Sequence, residues 1–159
     1  TSEVFEPIGI HIAPVNTTLE QDGAEGIPLM AFGYYPTISD MVKIARLYQQ
    51  RGAWQGRQLL YRPIVDQIMD PMAPHGLPAG PTGDGAELDY FHAFWRHPFL
   101  IREGCRRYVP KMRGYGGVTI MLLPGGVTTV RVARLADSPE IDEPLLTAAG
   151  LGKLGCETP

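Results

Sequence analysis

The sequence predicts an α+β fold in which a helical part is followed by antiparallel strands and a final helix. Two observations carry this prediction: an amphipathic helical pattern lies in the first third of the chain, and two β-branched runs joined by Pro124-Gly125-Gly126 lie near its end. The 159 residues, 44% of them apolar, fit one domain with its own core. We expect the helical part to span about 1–88, and the sheet strands with the terminal helix to span about 89–159.

The clearest local signal predicts a helix over about residues 39–51. Thr37 and Ser39 supply hydroxyl groups for its N-terminal cap, and Gly52 ends it. Apolar side chains recur at i, i+3, i+4 and i+7, which places them on one helical face. These apolar residues are Met41, Ile44, Ala45 and Tyr48.

Two irregular segments flank this helix. Residues 5–10 predict an apolar turn rather than a strand, because Pro7 lacks a backbone donor and Gly9 tolerates unusual backbone angles. Residues 53–60 predict a connection with Trp54 as its buried aromatic anchor.

A second helix is expected to begin after Arg62 and to end before Pro71. Residues 71–85 are dense in glycine and proline, which predicts one long loop. The rest of the chain predicts strands at 90–95, 99–102 and 106–109, the hairpin at 118–133, and a last helix at 141–149.

Composition and charge exclude some classes of partner. The chain carries 14 basic and 17 acidic residues, and this net charge of −3 gives no general attraction to nucleic acid. No apolar stretch is long enough to span a bilayer, so we expect a soluble chain with no membrane partner, either cytoplasmic or exported. The two cysteines are expected to be free thiols. A local basic run is interpreted as a solvated or carboxylate-facing surface, and it comprises Arg102, Arg106, Arg107, Lys111 and Arg113.

A search for catalytic motifs returns no complete active site. No serine lies in G-x-S-x-G or has a lysine three residues later, and no phosphate loop, dinucleotide fingerprint or zinc pattern occurs. We therefore predict neither a metal nor a cofactor. Thr1 would be an N-terminal nucleophile if it is a processing product, since its own amine would then serve as the base; the alternative is a simple domain boundary.

Four segments, in order, resemble the carboxyl-terminal half of serine hydrolases of the β-lactamase and penicillin-binding type. The similarity is greatest to the branch of class C β-lactamases, esterases and 6-aminohexanoate-dimer hydrolases. The resemblance implies a helical subdomain beside an antiparallel sheet, with the final helix packed on that sheet. The segments are residues 5–10 (FEPIGI), 33–48 (GYYPTISDMVKIARLY), 52–60 (GAWQGRQLL) and 114–124 (GYGGVTIMLLP).

The resemblance also implies a reaction and a partner. In this family a serine attacks an acyl carbon, an acyl-enzyme forms, and water or another acceptor releases it. The family's S-x-x-K and Y-x-N motifs lie upstream of the turn that this chain has near its start, and neither occurs here. We therefore expect the nucleophile outside this chain, in the remaining N-terminal half of the hydrolase. The substrate is expected to be a small acyl compound, and the chain is expected to need its other half for stability.

The family's third motif, K/H-T/S-G, aligns with Met112-Arg113-Gly114, so a methionine stands where the family has a cation. Lys111 lies one place early, and either Lys111 or Arg113 would hold a substrate carboxylate. Backbone donors from Gly114, Tyr115, Gly116 and Gly117 would help to form the oxyanion hole. Two alternatives stay open: the glycine cluster is only a tight turn or bulge, and the chain is a non-catalytic binding or scaffold protein on the same fold.

Overall fold

Two helices pack on one face of a six-stranded antiparallel sheet in the computed structural model of the chain. Helix α1 spans Ile38–Gln49 and helix α2 spans Arg62–Ile68, and a 3₁₀ turn at Glu6–Ile8 precedes both. The structure describes residues 2–11, 17–18, 26–27, 35–72, 76–81, 87–114 and 118–131, and every structural statement below concerns these residues. The α+β class is confirmed.

Each strand of the large sheet pairs antiparallel with the next strand along the chain. A separate two-stranded hairpin, β1 and β2, lies between the two helices in sequence. The strands are β1 Ala53–Trp54, β2 Arg57–Gln58, β3 Leu77–Pro81, β4 Glu87–Phe91, β5 Phe94–Arg102, β6 Cys105–Arg113, β7 Thr119–Leu122 and β8 Thr128–Arg131.

Helix α1 begins with a reciprocal capping box at Thr37. The Thr37 hydroxyl accepts a hydrogen bond from the Asp40 backbone N–H, and the Asp40 carboxylate accepts one from the Thr37 backbone N–H, each at 3.1 Å. The predicted helix is thus confirmed, with its cap at Thr37. One turn later, Lys43 Nζ donates to the carbonyl oxygen of Gly9 at 2.6 Å. This bond joins the turn at residues 5–10 to α1.

Two apolar clusters meet along α1. On one side, Met41 and Ala45 pack with α2 and with Phe94, Ile120 and Leu122 of the sheet. On the other side, a second cluster joins Leu47 of α1 to the N-terminal turn and the small hairpin. Its buried members are Ile8, Ile10 and Leu47, with Trp54, Leu59 and Leu60 packed against them.

Strand β7 is buried on both of its faces. Side chains alternate along a strand, so Ile120 and Leu122 face the helices while Met121 faces the opposite side. Met121 packs there with Val109 and Leu123, and all four residues of β7 are buried. This strand therefore lies at the centre of the described core, as a continuous apolar run predicts.

The prediction of one long loop over 71–85 is wrong, because β3 lies within it. Leu77 pairs with Tyr90 and Pro78 with Asp89, and the register shifts before Pro81. A proline is tolerated at the edge of a sheet because the N–H it lacks is not required by a second neighbour. The sheet accordingly begins at Leu77, before the 89–159 range predicted for the strands.

The predicted strand at 90–95 is also wrong, since a tight turn divides it. His92 and Ala93 both have positive φ, of 46° and 65°, and they join β4 to β5 by a two-residue loop. Such loops need the left-handed region at both positions and usually contain glycine or asparagine, so these residue types hid the turn. The hairpin at 118–133 is confirmed as β7 and β8, which are joined through Pro124–Gly126.

Cys105 is disulfide-bonded, which corrects the prediction of a free thiol. Cysteine spacing alone does not reveal whether two distant thiols meet in a fold. Cys156 and the predicted helix at 141–149 lie outside the described residues. Neither of the described helices has the length and apolar character needed to cross a bilayer.

Candidate functional site

The two predicted substrate-binding cations lie at the end of β6, on the sheet face opposite the helices. Lys111 pairs with Met121 and Arg113 pairs with Thr119, so all four side chains share that face. Lys111 is only 6% exposed, with Trp95 of β5 and Met121 of β7 as its register neighbours, whereas Arg113 is exposed. Of the two, Arg113 is the one that presents its charge to solvent.

A backbone hydrogen bond joins the two residues that flank the β6–β7 connection. The backbone N–H of Gly114 donates to the carbonyl oxygen of Val118 at 2.9 Å, which closes the turn that leads from β6 into β7. Because this N–H already has an acceptor, Gly114 is not a spare donor for an oxyanion. Tyr115, Gly116 and Gly117 lie outside the described residues, as does Thr1.

Met112 lies on the other face of β6, toward the helices. It pairs with Ile120 and packs against the cluster of Met41, Ala45 and Phe94. Its neighbours are apolar, so a methionine is suited to this position by packing alone. Met112, which the sequence comparison aligned with the cation of the resembled hydrolases, is thus directed into the core between the helices and the sheet.

Arg96 on β5 is a fully buried arginine that no motif in the sequence marks. Its guanidinium lies 3.9 Å from Asp89, donates to the backbone carbonyl of Asp70, and stacks over the Tyr108 ring at 5.2 Å. Burial lowers the pKa of Arg96 below its ordinary value, and the carboxylates of Asp89 and Asp70 partly offset that effect. These contacts join the segment after α2 to three strands, and we assign Arg96 a structural role.

The ion pair between Asp89 and Arg96 could have been predicted from the register of β4 and β5. Asp89 and Arg96 are directly opposite each other on β4 and β5, and opposite charges at such positions favour the pairing of two strands. Once the turn at His92 and Ala93 is recognised, the pairing follows. Among the described residues, no three histidine, cysteine, aspartate or glutamate side chains are grouped so as to hold a metal ion.

No family model, curated protein or solved structure matches the chain. What the structure defines directly is an α+β protein whose antiparallel sheet has two cationic residues, Lys111 and Arg113, at the end of β6.

Proposed function

We propose that this chain is the carboxyl-terminal part of a β-lactamase-like serine hydrolase, whose nucleophile lies outside it. The carrying observation is that the described parts of the four resembling segments pack against one another. Ile8 and Ile10 contact Leu47 of α1, the small hairpin joins the same cluster, and α1 contacts Ile120 and Leu122 of β7. Segments that are separate in sequence thus form one packed unit around α1.

Within this proposal, the end of β6 forms one wall of an acyl-transfer site. Arg113 is exposed and would hold a substrate carboxylate, while Lys111 is buried behind it on the same face. The Gly114 N–H is already used by Val118, so the oxyanion would be bound by the following amides of Tyr115, Gly116 and Gly117. The substrate class is a small ester or amide that forms an acyl-enzyme.

An exposed apolar stripe on α1 supports a covering partner. Ile38 is 61% exposed and Val42 is 50% exposed, and their i, i+4 spacing puts both on one side of the helix. Apolar side chains grouped on a surface are typical of interfaces. In the proposal, the amino-terminal half of the hydrolase supplies the nucleophile and covers this stripe.

Met112 favours a second candidate function from a different class. A methionine that packs into the core between α1 and the sheet supplies no cation at the third motif. The same fold would then be a non-catalytic binding or scaffold protein. A third and weaker candidate is an N-terminal hydrolase with Thr1 as its nucleophile.

One labelling experiment separates these candidates. The native, full-length preparation is treated with a fluorescent β-lactam or a fluorophosphonate, and the intact mass of every chain present is measured. A label on an upstream segment or partner chain supports the serine hydrolase, and a label on Thr1 supports the terminal nucleophile. No label on a preparation shown to be folded by circular dichroism overturns both enzymes and leaves the binding protein.

A further inference from the structure

A second candidate site lies at the C-terminal end of α1, away from the end of β6. A cavity of about 330 Å³ lies there between the last turn of the helix and the β1–β2 hairpin; it is open to solvent, and four of its six lining residues are exposed. Its size suits a small organic molecule. The lining residues are Arg46, Gln50, Ala53, Trp54, Gln55 and Gly56.

The guanidinium of Arg46 is held in place on two sides. It stacks over the Trp54 ring, 5.4 Å from the ring centroid. With the Gln50 amide oriented so that its nitrogen donates to the Ala53 carbonyl at 3.0 Å, its oxygen accepts from Arg46 Nε at 3.1 Å. A guanidinium fixed at Nε and on one face retains its two Nη groups for a planar anion.

Among the residues that the structure describes, no acidic side chain forms an ion pair with Arg46. The ion pairs found in the described part of the sequence join other basic residues to their acids, namely Lys43, Arg51, Arg62 and Arg96. A cation in the last turn of a helix is favoured by the carbonyl groups at that end, which accounts for the charge of Arg46. This favourable interaction with the helix end does not explain why a cavity lies beside Arg46, or why Trp54 and Gln50 orient its guanidinium.

The hairpin wall of the cavity is built before any ligand arrives. Gln55 and Gly56 form a two-residue loop with positive φ at both positions, and Trp54 pairs with Arg57 across it. The Gln58 amide donates to the carbonyl oxygens of Arg51 and Leu60, at 2.8 and 2.6 Å, and holds the base of the hairpin. A preformed wall reduces the entropy lost when a ligand binds.

We propose that this cavity binds a small organic carboxylate. The carboxylate lies against the Nη groups of Arg46, and the apolar body of the ligand contacts Ala53 and Trp54. A carboxylate is favoured over a phosphate dianion because Arg46 is the one cation among the lining residues, and the other polar side chains there are the amides of Gln50 and Gln55. The proposal does not depend on the hydrolase assignment, since no residue of the β6 end takes part.

The test is a titration of the ¹⁵N-labelled full chain with sodium benzoate at constant ionic strength. Trp95→Phe assigns the two indole N–H signals, so that Trp54 is followed by itself. We expect saturable shifts at Trp54 with a dissociation constant in the millimolar range, roughly what one charge-assisted contact and a small apolar body provide. Benzamide, which has the same shape without the charge, should produce no saturable shift.

Matched variants assign the effect to Arg46. Arg46→Gln should raise the dissociation constant for benzoate about tenfold or more, because a hydrogen bond to a charged group is lost. Arg57→Gln removes an exposed charge of the same hairpin outside the cavity, and it should leave the constant within about twofold. Arg46→Lys keeps the charge without the planar fork and should give an intermediate value; it also replaces Arg46→Gln if that variant fails to fold.

Several results would overturn the proposal. Equal shifts with benzamide would show that the charge is irrelevant, and unchanged benzoate affinity in both Arg46 variants would exclude this guanidinium. Shifts that stay linear up to about 50 mM benzoate would exclude a site of the expected affinity. Saturation by inorganic phosphate at lower concentration than by benzoate would overturn the carboxylate class.

Discussion

The side chain of Gln49 and the backbone of Val127 join the end of α1 to the turn between the last two strands: Gln49 Nε2 donates to the Val127 carbonyl oxygen at 2.7 Å. The same nitrogen lies 3.0 Å from the Leu123 carbonyl oxygen and 3.3 Å from the Thr128 hydroxyl. One amide group thus bonds to both ends of the β7–β8 connection.

Gln49→Ala should destabilise the protein by about 1–3 kcal/mol, because part-buried carbonyl groups lose their donor. Urea unfolding measures this change. Gln67→Ala is the matched control, since Gln67 is exposed on α2, and it should change the free energy of unfolding by no more than about 0.5 kcal/mol. Equal effects from the two substitutions would show that the amide does not stabilise the turn.

The capping box predicts a specific response to acid. The hydrogen bond from Thr37 is the main cause that holds the pKa of Asp40 below its ordinary value of 3.8. The unfolded chain therefore binds the proton more readily, so this contribution to stability is present above about pH 4 and is lost as the pH falls through the lowered pKa. In Asp40→Asn, the dependence of unfolding free energy on pH below 4 should be shallower than in the wild type.

Thr37→Ala tests the other half of the cap. It should lower the free energy of unfolding by about 1 kcal/mol at pH 7, since an orphan backbone N–H of α1 loses its acceptor. It should also make the acid dependence shallower than in the wild type, but less so than Asp40→Asn, because Lys43 and the Thr37 backbone still lower the pKa of Asp40. An unchanged acid slope in both variants would contradict the assignment of Asp40 as the titrating group.

Arg96 and Asp89 should behave as a coupled buried pair. Arg96→Met leaves the carboxylate of buried Asp89 without the Arg96 guanidinium, so we expect a loss of about 3–5 kcal/mol. The double variant Arg96→Met with Asp89→Leu should lose clearly less than the sum of the two single variants. A double-mutant cycle by urea unfolding measures this, and additivity within about 0.5 kcal/mol would show that the two groups are not coupled.

Much of this architecture is predictable from local sequence patterns. The features that were not predicted share one cause, which is that they depend on contacts between distant parts of the chain. The spacing of Met41, Ala45 and Tyr48 predicts α1 because a helix shows its periodicity within a few turns. Strand β3 contains Pro78 and Gly80, which are turn signals, and it forms only because β4 lies beside it. The buried position of Arg96 likewise depends on contacts between strands that are distant in sequence.

The candidate sites also combine features that the sequence predicts with features that only the fold shows. The cationic strand end at Lys111 and Arg113 follows from the sequence, whereas the difference in their burial does not. The cavity beside Arg46 requires α1 and the β1–β2 hairpin to meet, and no motif marks that meeting. A short sequence motif therefore identifies strand ends and turns. A site that forms between two secondary-structure elements can be identified only once the fold is known.

The disulfide at Cys105 gives a chemical prediction. In the unreduced, denatured chain, neither of the two cysteines should react with iodoacetamide, and both should react after reduction with dithiothreitol. Intact mass spectrometry counts the added groups. Reduction should also lower the free energy of unfolding by about 2–4 kcal/mol. Alkylation before reduction would contradict the bond.

Arg113 gives a prediction for the proposed reaction. In an active full-length preparation, Arg113→Gln should lower kcat/KM for a carboxylate-bearing acyl substrate by about tenfold to a hundredfold, with little change for a neutral analogue. Arg106→Gln is the control, because Arg106 is exposed on the same strand but on its other face. Equal losses for both substrates would exclude Arg113 as the carboxylate contact.

Strand β3 has a consequence for how copies of this protein behave at high concentration. It is the first strand of the described sheet, and two of its five residues, Pro78 and Pro81, have no backbone N–H. A strand from another copy that approached this edge would find too few backbone N–H donors to continue the hydrogen-bonding pattern of the sheet. The register shift before Pro81 would also bend the edge strand away from the incoming strand. We therefore expect the prolines that hide this strand in the sequence to disfavour edge-to-edge association of copies.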